Sequence, residues 1–316
     1  MSQISIISPG LFATVQDIGR FGYAHLGISA AGAADAVSLR LGNLLLGNHE
    51  NAPALEMSVV GAEVDFGATT IIALAGADME PTVDGESMPM WTARKINSGQ
   101  VVKCGAATSG FRAYLCIRGG IDVPLVFGSA STHSQTRLGG FCGRPLKKGD
   151  IVTLAVTASS DSFRSLQVDP EVLSQIAPRN VLRVTSGPQA PLFPQLVHHL
   201  FYSSSYEVTR ESDRMGLRLT GAALSRNDNN SEILTEGVSL GAVQITHSGM
   251  PIILFVDHQT TGGYPKIANV ISADLHSVGQ LRPGDRVTFT LVSLAEASAL
   301  LDEQESLIRQ LPFIPA

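Results

Sequence analysis

The chain has 316 residues, a formal net charge of −6, 44% hydrophobic and 16% charged residues. A chain of that length is expected to form about two domains whose cores need no metal or disulfide staples. Its acidic balance, with no long basic run, offers nothing to neutralise a phosphate backbone and excludes nucleic acid as the expected partner.

The 31 Gly and 16 Pro predict many turns and few long helices, so the composition leans towards β structure. The opening "MSQISIISPG" lacks the basic and apolar regions of a signal peptide, and no apolar run reaches the roughly 20 residues that span a bilayer. Neither secretion nor a membrane span is expected. Cys104, Cys116 and Cys142 are odd in number and never in C-x-x-C spacing, which fits a reducing cytoplasm better than a disulfide framework or zinc site.

In chain order, "TVQDIGRFGYAHLGISAAGAAD" first sets Gln16, Asp17 and Arg20 around Gly19 and Gly22. Close backbone approach with both hydrogen-bond polarities suits a binding loop, and equally an Asp–Arg pair pinning a loop. "DAVSLRLGNLLLGN" carries Val37, Leu41, Leu44 and Leu45 at helical spacing, with Asp35 as cap and Gly47 as stop. "GAEVDF", "TIIALAG" and "RAYLCIRGG" read as strands. "FGSASTHSQTRLGGFCGRPL" gathers Ser129, Ser131, Thr132, Arg137 and Arg144 among glycines, either an anion-holding loop or a solvated connection.

"LKKGDIVTLAV" is a Gly-Asp turn opening an alternating strand, and "LRPGDRVTFTL" repeats it near the end, with "INSGQVVKCG" a weaker relative. The repeat predicts two β domains of similar plan. Alternation stops in "TASSDSFRSLQVDPEVLSQIAPRN", which places the boundary between an N-terminal β-barrel domain with a helical insert, 1–160, and a C-terminal barrel domain, 161–316. In the second half "NVLRVTSG", "YEVT", "GAVQIT" and "PIILFV" read as strands, and Ser293 to Leu311 as a helix ended by Pro312. Both helices are expected to plug or buttress the barrels.

"TRESDRMGLRLTG" packs Glu211, Asp213, Arg214 and Arg218 together, as a local salt-bridge web or part of a site. "VDHQTTGGYPKI" is the most varied segment: Gln259, Thr260 and Thr261 supply donors and acceptors, Gly262 and Gly263 remove bulk, Tyr264 offers a ring and Lys266 a cation. A plain hairpin turn needs no such variety. The segment has neither the spacing nor the Ser/Thr of a P-loop, no G-x-G-x-x-G or H-E-x-x-H occurs, and no nucleophile elbow is expected. His198 and His199, in "LVHHLF", are read as structural or merely exposed, and no residue can be named a nucleophile.

These phrases, with "GNLLLGN", "LGGFCGRPLKKGD", "ESDRMGLRL", "TEGVSLGAVQ" and "DHQTTGGYPKIA", resemble the allophanate hydrolase subunit 2 or biotin-dependent carboxyltransferase family from about Gly10 to Val292. The chain departs from the family pattern at Ala13, usually Thr, and at Gly42, usually Ala. The resemblance implies a mostly β protein of two cyclophilin-like β-barrel domains with a few short helices. Among family members, a free-standing chain of this length is most similar to the C subunit of ATP-dependent 5-oxoprolinases. The implied activity opens 5-oxo-L-proline to L-glutamate with subunits A and B, with ATP and Mg as co-substrate shared with a partner subunit. Lys266, Gln259 and Arg214 are then the expected catalytic residues. Thr260, Thr261, Gly262, Gly263, Tyr264, Gln16, Asp17 and Arg20 are the expected substrate or phosphate contacts, with no metal ligands. The alternatives are a carboxyltransferase component served by a separate biotin carrier, since no Met-Lys-Met is present to carry biotin covalently, or a non-catalytic regulator of a kinase inhibitor.

Overall fold

The computed structural model describes residues 2–155, 163–225 and 233–316. Part of the expected boundary segment, 157–162, lies outside them. The chain forms two compact units, one of residues 1–20, 31–177 and 307–316, the other of 21–30 and 178–306. The first unit runs on to Ala177 and takes in the C-terminus because Leu166–Val168 pairs antiparallel with Phe313–Pro315.

In the first unit a six-stranded sheet and a five-stranded sheet share one core. Ile4, Ile6, Val64 and Phe66 of the first meet Val15, Leu55, Ile72, Leu74 and Leu115 of the second. The five-stranded sheet is buried on its other face as well. There Ile71, Ala73, Tyr114 and Cys116 pack with Leu39, Leu45 and Leu46 at the helix Ala36–Leu45. Burial on both faces explains why "TIIALAG" reads as a continuous apolar run rather than an alternation.

The helix starts where Asp35 accepts the Ser38 N–H at 2.9 Å and stops at Gly47, whose φ is +71°. It therefore buttresses a sheet, as its spacing predicts. A Cβ built at Gly42 would lie 2.7 Å from Cys116 Sγ, so the missing side chain lets helix and sheet approach. Burial pushes the Cys104 thiol up to about 12 and the Cys116 thiol higher still, while Cys142 is exposed.

The second unit holds a closed barrel in the order Val181–Ser186, Lys266–Val270, Ala242–Ile245, Pro251–Leu254, Gly216–Thr220, Tyr206–Val208, Arg286–Leu291. It closes through the parallel pair of Val181–Ser186 with Arg286–Leu291. Among the described residues this is the one ladder that closes on itself. Phe201, Tyr206 and Phe289 fill part of its interior, Phe201 stacking on Phe289 with centroids 4.6 Å apart. Phe201 comes from the helix Gln195–Ser203, which also carries the His-His pair; His198 Nε2 sits 2.9 Å from the Ala190 carbonyl.

The C-terminal helix Leu294–Arg309 opens with a capping box, Ser293 N–H donating to Glu296 and Glu296 N–H to Ser293 Oγ. Only its Ile308 is buried, so this helix lies exposed for most of its length and does not plug a barrel.

The repeated turns share a device. Asp150 accepts the Lys147 N–H at 2.7 Å and Asp285 accepts the Arg282 N–H at 2.8 Å, each beside a left-handed glycine, Gly149 or Gly284. In the weaker relative Gln100 replaces Asp and accepts the Asn97 N–H at 2.9 Å, beside Gly99.

Candidate functional site

The strand Lys266–Val270 begins with an irregularity. Val243 faces Ala268 but Gln244 faces Lys266, which makes Ile267 an extra residue on that strand. Opposed residues of an antiparallel pair share a face, so the bulge turns Lys266 to the side of Gln244, where regular pairing would have put Ile267.

The segment after Val181–Ser186 closes over this bulge. Gly187 N–H donates to the Ile267 carbonyl at 3.0 Å and Gln189 N–H to the Lys266 carbonyl at 3.2 Å. Lys266 N–H in turn donates to Gln189 Oε1 at 3.2 Å, which orients that amide so that its Nε2 donates to Glu236 Oε1 at 2.7 Å. Lys266 Nζ reaches the same oxygen at 2.5 Å. The Lys266 side chain is only 4% exposed and that of Glu236 45%. The Lys266 ammonium, followed by the Gln189 amide, holds the Glu236 carboxyl below its usual range.

Glu236 is brought there by a two-residue ribbon, Glu236–Gly237 paired with Thr261–Gly262, extended by Val238 N–H to the Thr260 carbonyl and Ile233 N–H to the Gly263 carbonyl. The varied segment is thus not a turn. It connects two parallel neighbours of one central strand, Pro251–Leu254 and Lys266–Val270 either side of Ala242–Ile245, and so must travel back along the barrel. At Gly262 an added Cβ would lie 2.8 Å from Gln244 Nε2 and 3.6 Å from Gln259 Nε2. The missing side chain lets Val238 and two side-chain amides pack closely here, and Gln244 Nε2 donates to the Tyr264 carbonyl at 3.3 Å. Tyr264 packs edge-on to His247 with centroids 5.2 Å apart.

The start of the segment is clamped. Arg214 donates through Nε to Asp257 Oδ2 at 2.8 Å and through Nη2 to Oδ1 at 3.1 Å, while Asp257 N–H donates to the Arg214 carbonyl at 2.8 Å. The guanidinium of Arg214 is therefore an anchor for this segment. His258 Nδ1 donates to the Gln259 carbonyl at 2.6 Å and its own carbonyl accepts from Ser29 Oγ at 2.6 Å; burial lowers its pKa.

In the first unit, the structure brings the first and second polar clusters together. Asp17 accepts from Gly19 N–H at 2.8 Å, Ser129 Oγ at 2.6 Å, Ala130 N–H at 2.7 Å and Ser131 Oγ at 2.5 Å. Gln16 Nε2 donates to Thr14 Oγ1 and the Thr132 carbonyl, and Arg20 donates to the Ser131 and Val126 carbonyls. All three are buried, and these bonds stitch residues 16–20 to 126–132. Nearby, Val123, Val126, Phe141, Cys142 and Ile151 line an open cavity of about 390 Å³.

The segment 259–266 therefore lies in the second unit with three side chains that the sequence does not single out: Glu236, Gln189 and Gln244. Glu236 stands inside the motif "TEGVSLGAVQ" and is within reach of a reading by motif; Gln189, in "TSGPQAP", carries no local signal. Among the described residues no three His, Cys, Asp or Glu side chains gather as a metal-binding group, and no helix is long and apolar enough to cross a membrane.

The model of the carboxyltransferase domain, subdomain A and B, matches residues 26–291. The chain is 38% identical to the 5-oxoprolinase C subunit of Escherichia coli, covering 98% of this chain and 97% of that one. It is 35% identical to urea amidolyase of Saccharomyces cerevisiae, over 98% of this chain but only 18% of the yeast protein. The solved urea carboxylase of Kluyveromyces lactis superposes with a TM-score of 0.91 at 32% identity, over 98% of this chain and 29% of that one. The matched length and identity place the chain in the carboxyltransferase domain family, subdomain A and B.

Proposed function

We propose that this chain is the C-type subunit of an ATP-dependent 5-oxoprolinase that, with subunits A and B in the cytoplasm, opens 5-oxo-L-proline to L-glutamate. One observation carries the reading. The chain aligns with 97% of the length of the Escherichia coli 5-oxoprolinase C subunit, against 18% of a urea amidolyase.

The chemistry asks for donors. A lactam resists hydrolysis because of amide resonance, and its opening requires the carbonyl oxygen to be stabilised or made into a leaving group. ATP, accompanied by magnesium, is the co-substrate that would supply a phosphoryl group for that oxygen. The Lys266 ammonium and the Gln259 amide belong to the segment 259–266, and the Gln244 amide of the neighbouring strand lies against it beside Gly262. Thr260, Thr261, Gly263 and Tyr264 shape it, and Arg214 holds it through Asp257. Gln16, Asp17 and Arg20 are assigned to holding a loop of the first unit, since their polar atoms bind residues 126–132.

The test is reconstitution. The chain purified with its A and B counterparts should form glutamate from 5-oxo-L-proline only when ATP is present. Silence from a mixture whose counterparts are shown competent with another C-type chain overturns the assignment. The urea enzymes give the second reading, a carboxyltransferase component with a separate biotin carrier, and inhibition of the assembled activity by avidin would favour it.

A further inference from the structure

Two donors held by the barrel and its flanking segment, Lys266 Nζ and Gln189 Nε2, converge on a single carboxylate oxygen at 2.5 and 2.7 Å. Each is oriented independently of that oxygen. The bulge at Ile267 aims Lys266, and the Lys266 N–H bond to Gln189 Oε1 turns the amide. The acceptor arrives differently, on an exposed ribbon of two residue pairs, with nearly half of its side chain in solvent. A buried ammonium needs a counter-charge, and here the chain supplies its own.

We propose that Lys266 and Gln189 form a preset carboxylate cradle, and that Glu236 occupies it as an internal stand-in until a small carboxylic acid takes its place. This rests on the reading of residues 259–266 as the substrate site and assigns the cradle to the carboxylate of 5-oxo-L-proline, and of L-glutamate after opening. The fit is chemical. The glutamate side chain ends in the same planar group, and one of its oxygens already accepts both donors. The ammonium meets a bound acid at its carboxylate, while the Gln259 amide by Gly262 is assigned to its amide end, the Gln244 amide being held by the Tyr264 carbonyl at 3.3 Å. No covalent step is involved: one carboxylate replaces another, and Glu236 moves into water, where nearly half of its side chain already lies.

Calorimetric titration of the full chain with 5-oxo-L-proline, L-glutamate and inorganic phosphate, in wild type and Glu236→Gln, tests this. The amide isostere removes the competing charge, so both carboxylates should bind at least about ten-fold tighter than to wild type, and phosphate more weakly than either. Adding Lys266→Met should abolish the gain. Glu236→Asp, whose arm is one methylene shorter, should shift affinity in the same direction and serves if Glu236→Gln does not fold. Unchanged or weaker carboxylate binding in the variants overturns the cradle, as does a preference for phosphate. The reconstituted assay separates the two readings. Tightened binding without glutamate formation keeps the cradle and removes the lactam-opening assignment; glutamate formation without tightening does the reverse.

Discussion

Arg214 and Asp257 are joined three times over, by two side-chain hydrogen bonds and by the bond from the Asp257 N–H to the Arg214 carbonyl. Both side chains are at least nine-tenths buried. Arg214→Ala leaves a buried carboxylate without its partner and should cost about 3–5 kcal/mol, read by urea unfolding. Arg214→Lys restores the charge but not the fork and should recover only part of that. A loss under about 1 kcal/mol for the alanine variant would show that the clamp is not needed.

Gly262 has room on only one account, the absence of its own side chain. Gly262→Val would push the Gln244 and Gln259 amides aside, since even a Cβ lies 2.8 Å from the first. Its backbone is not left-handed, so the fold should tolerate the change. Turnover in the reconstituted enzyme should fall by about 10² or more, in line with losing an aligned donor, while the melting temperature stays within a few degrees, about the span of 1 kcal/mol.

Asp150 gives a pH signature in the first unit. Its carboxyl is held below the ordinary 3.8 by the Arg144 side-chain bonds first, with the Lys147 N–H also contributing. A carboxylate whose folded pKa is lowered contributes stability that is present above the unfolded value and lost as pH falls through the folded one. Asp150→Asn should thus be less stable than wild type at pH 7, by about 1 kcal/mol. The two melting curves should converge as pH falls below about 4. A gap that persists at pH 2 would place the effect outside the ion pair.

At Gly42 two opposing effects can be weighed. Alanine in a helix interior gains about 1 kcal/mol over glycine, but its Cβ would sit 2.7 Å from Cys116 Sγ, and overpacking costs about 1–3 kcal/mol. Gly42→Ala should therefore be neutral to destabilising alone. Cys116→Ala removes the closer of two tight contacts, leaving Ala75 Cβ at 3.1 Å, so Gly42→Ala should be less destabilising in that background than alone. Additive effects in that cycle would show that the two positions do not touch.

Much of this is legible in the sequence because it is local. The Asp35 cap, the Gly47 stop and the Gly-Asp turns are each fixed within a few residues, and the sequence marks them with the residue types the backbone requires. The sheets of the first unit are not legible as two sheets meeting across a core, since strand partners far apart in sequence leave no local trace. The helix Gln195–Ser203 escapes notice because "LVHHLF" is short and begins without a side-chain cap. In the candidate site, the composition of 259–266 singles out a segment that the structure pairs with Glu236–Gly237. Glu236 gains its meaning from a ribbon pairing, and Gln189 from closing over a bulge, and neither relation is written in the neighbouring residues.

The placement of the cysteines has a practical consequence. All three, together with the single tryptophan, Trp91, belong to the first unit. Thiol labelling and tryptophan emission are therefore native reporters of one unit and are silent about the other. Cys104 and Cys116 can react only when the first unit opens, so their labelling rate is a clock for that opening, with exposed Cys142 as an internal standard. Unfolding of the barrel unit must be followed by other signals, its tyrosines or its backbone dichroism. A denaturation curve read at tryptophan alone describes half a molecule.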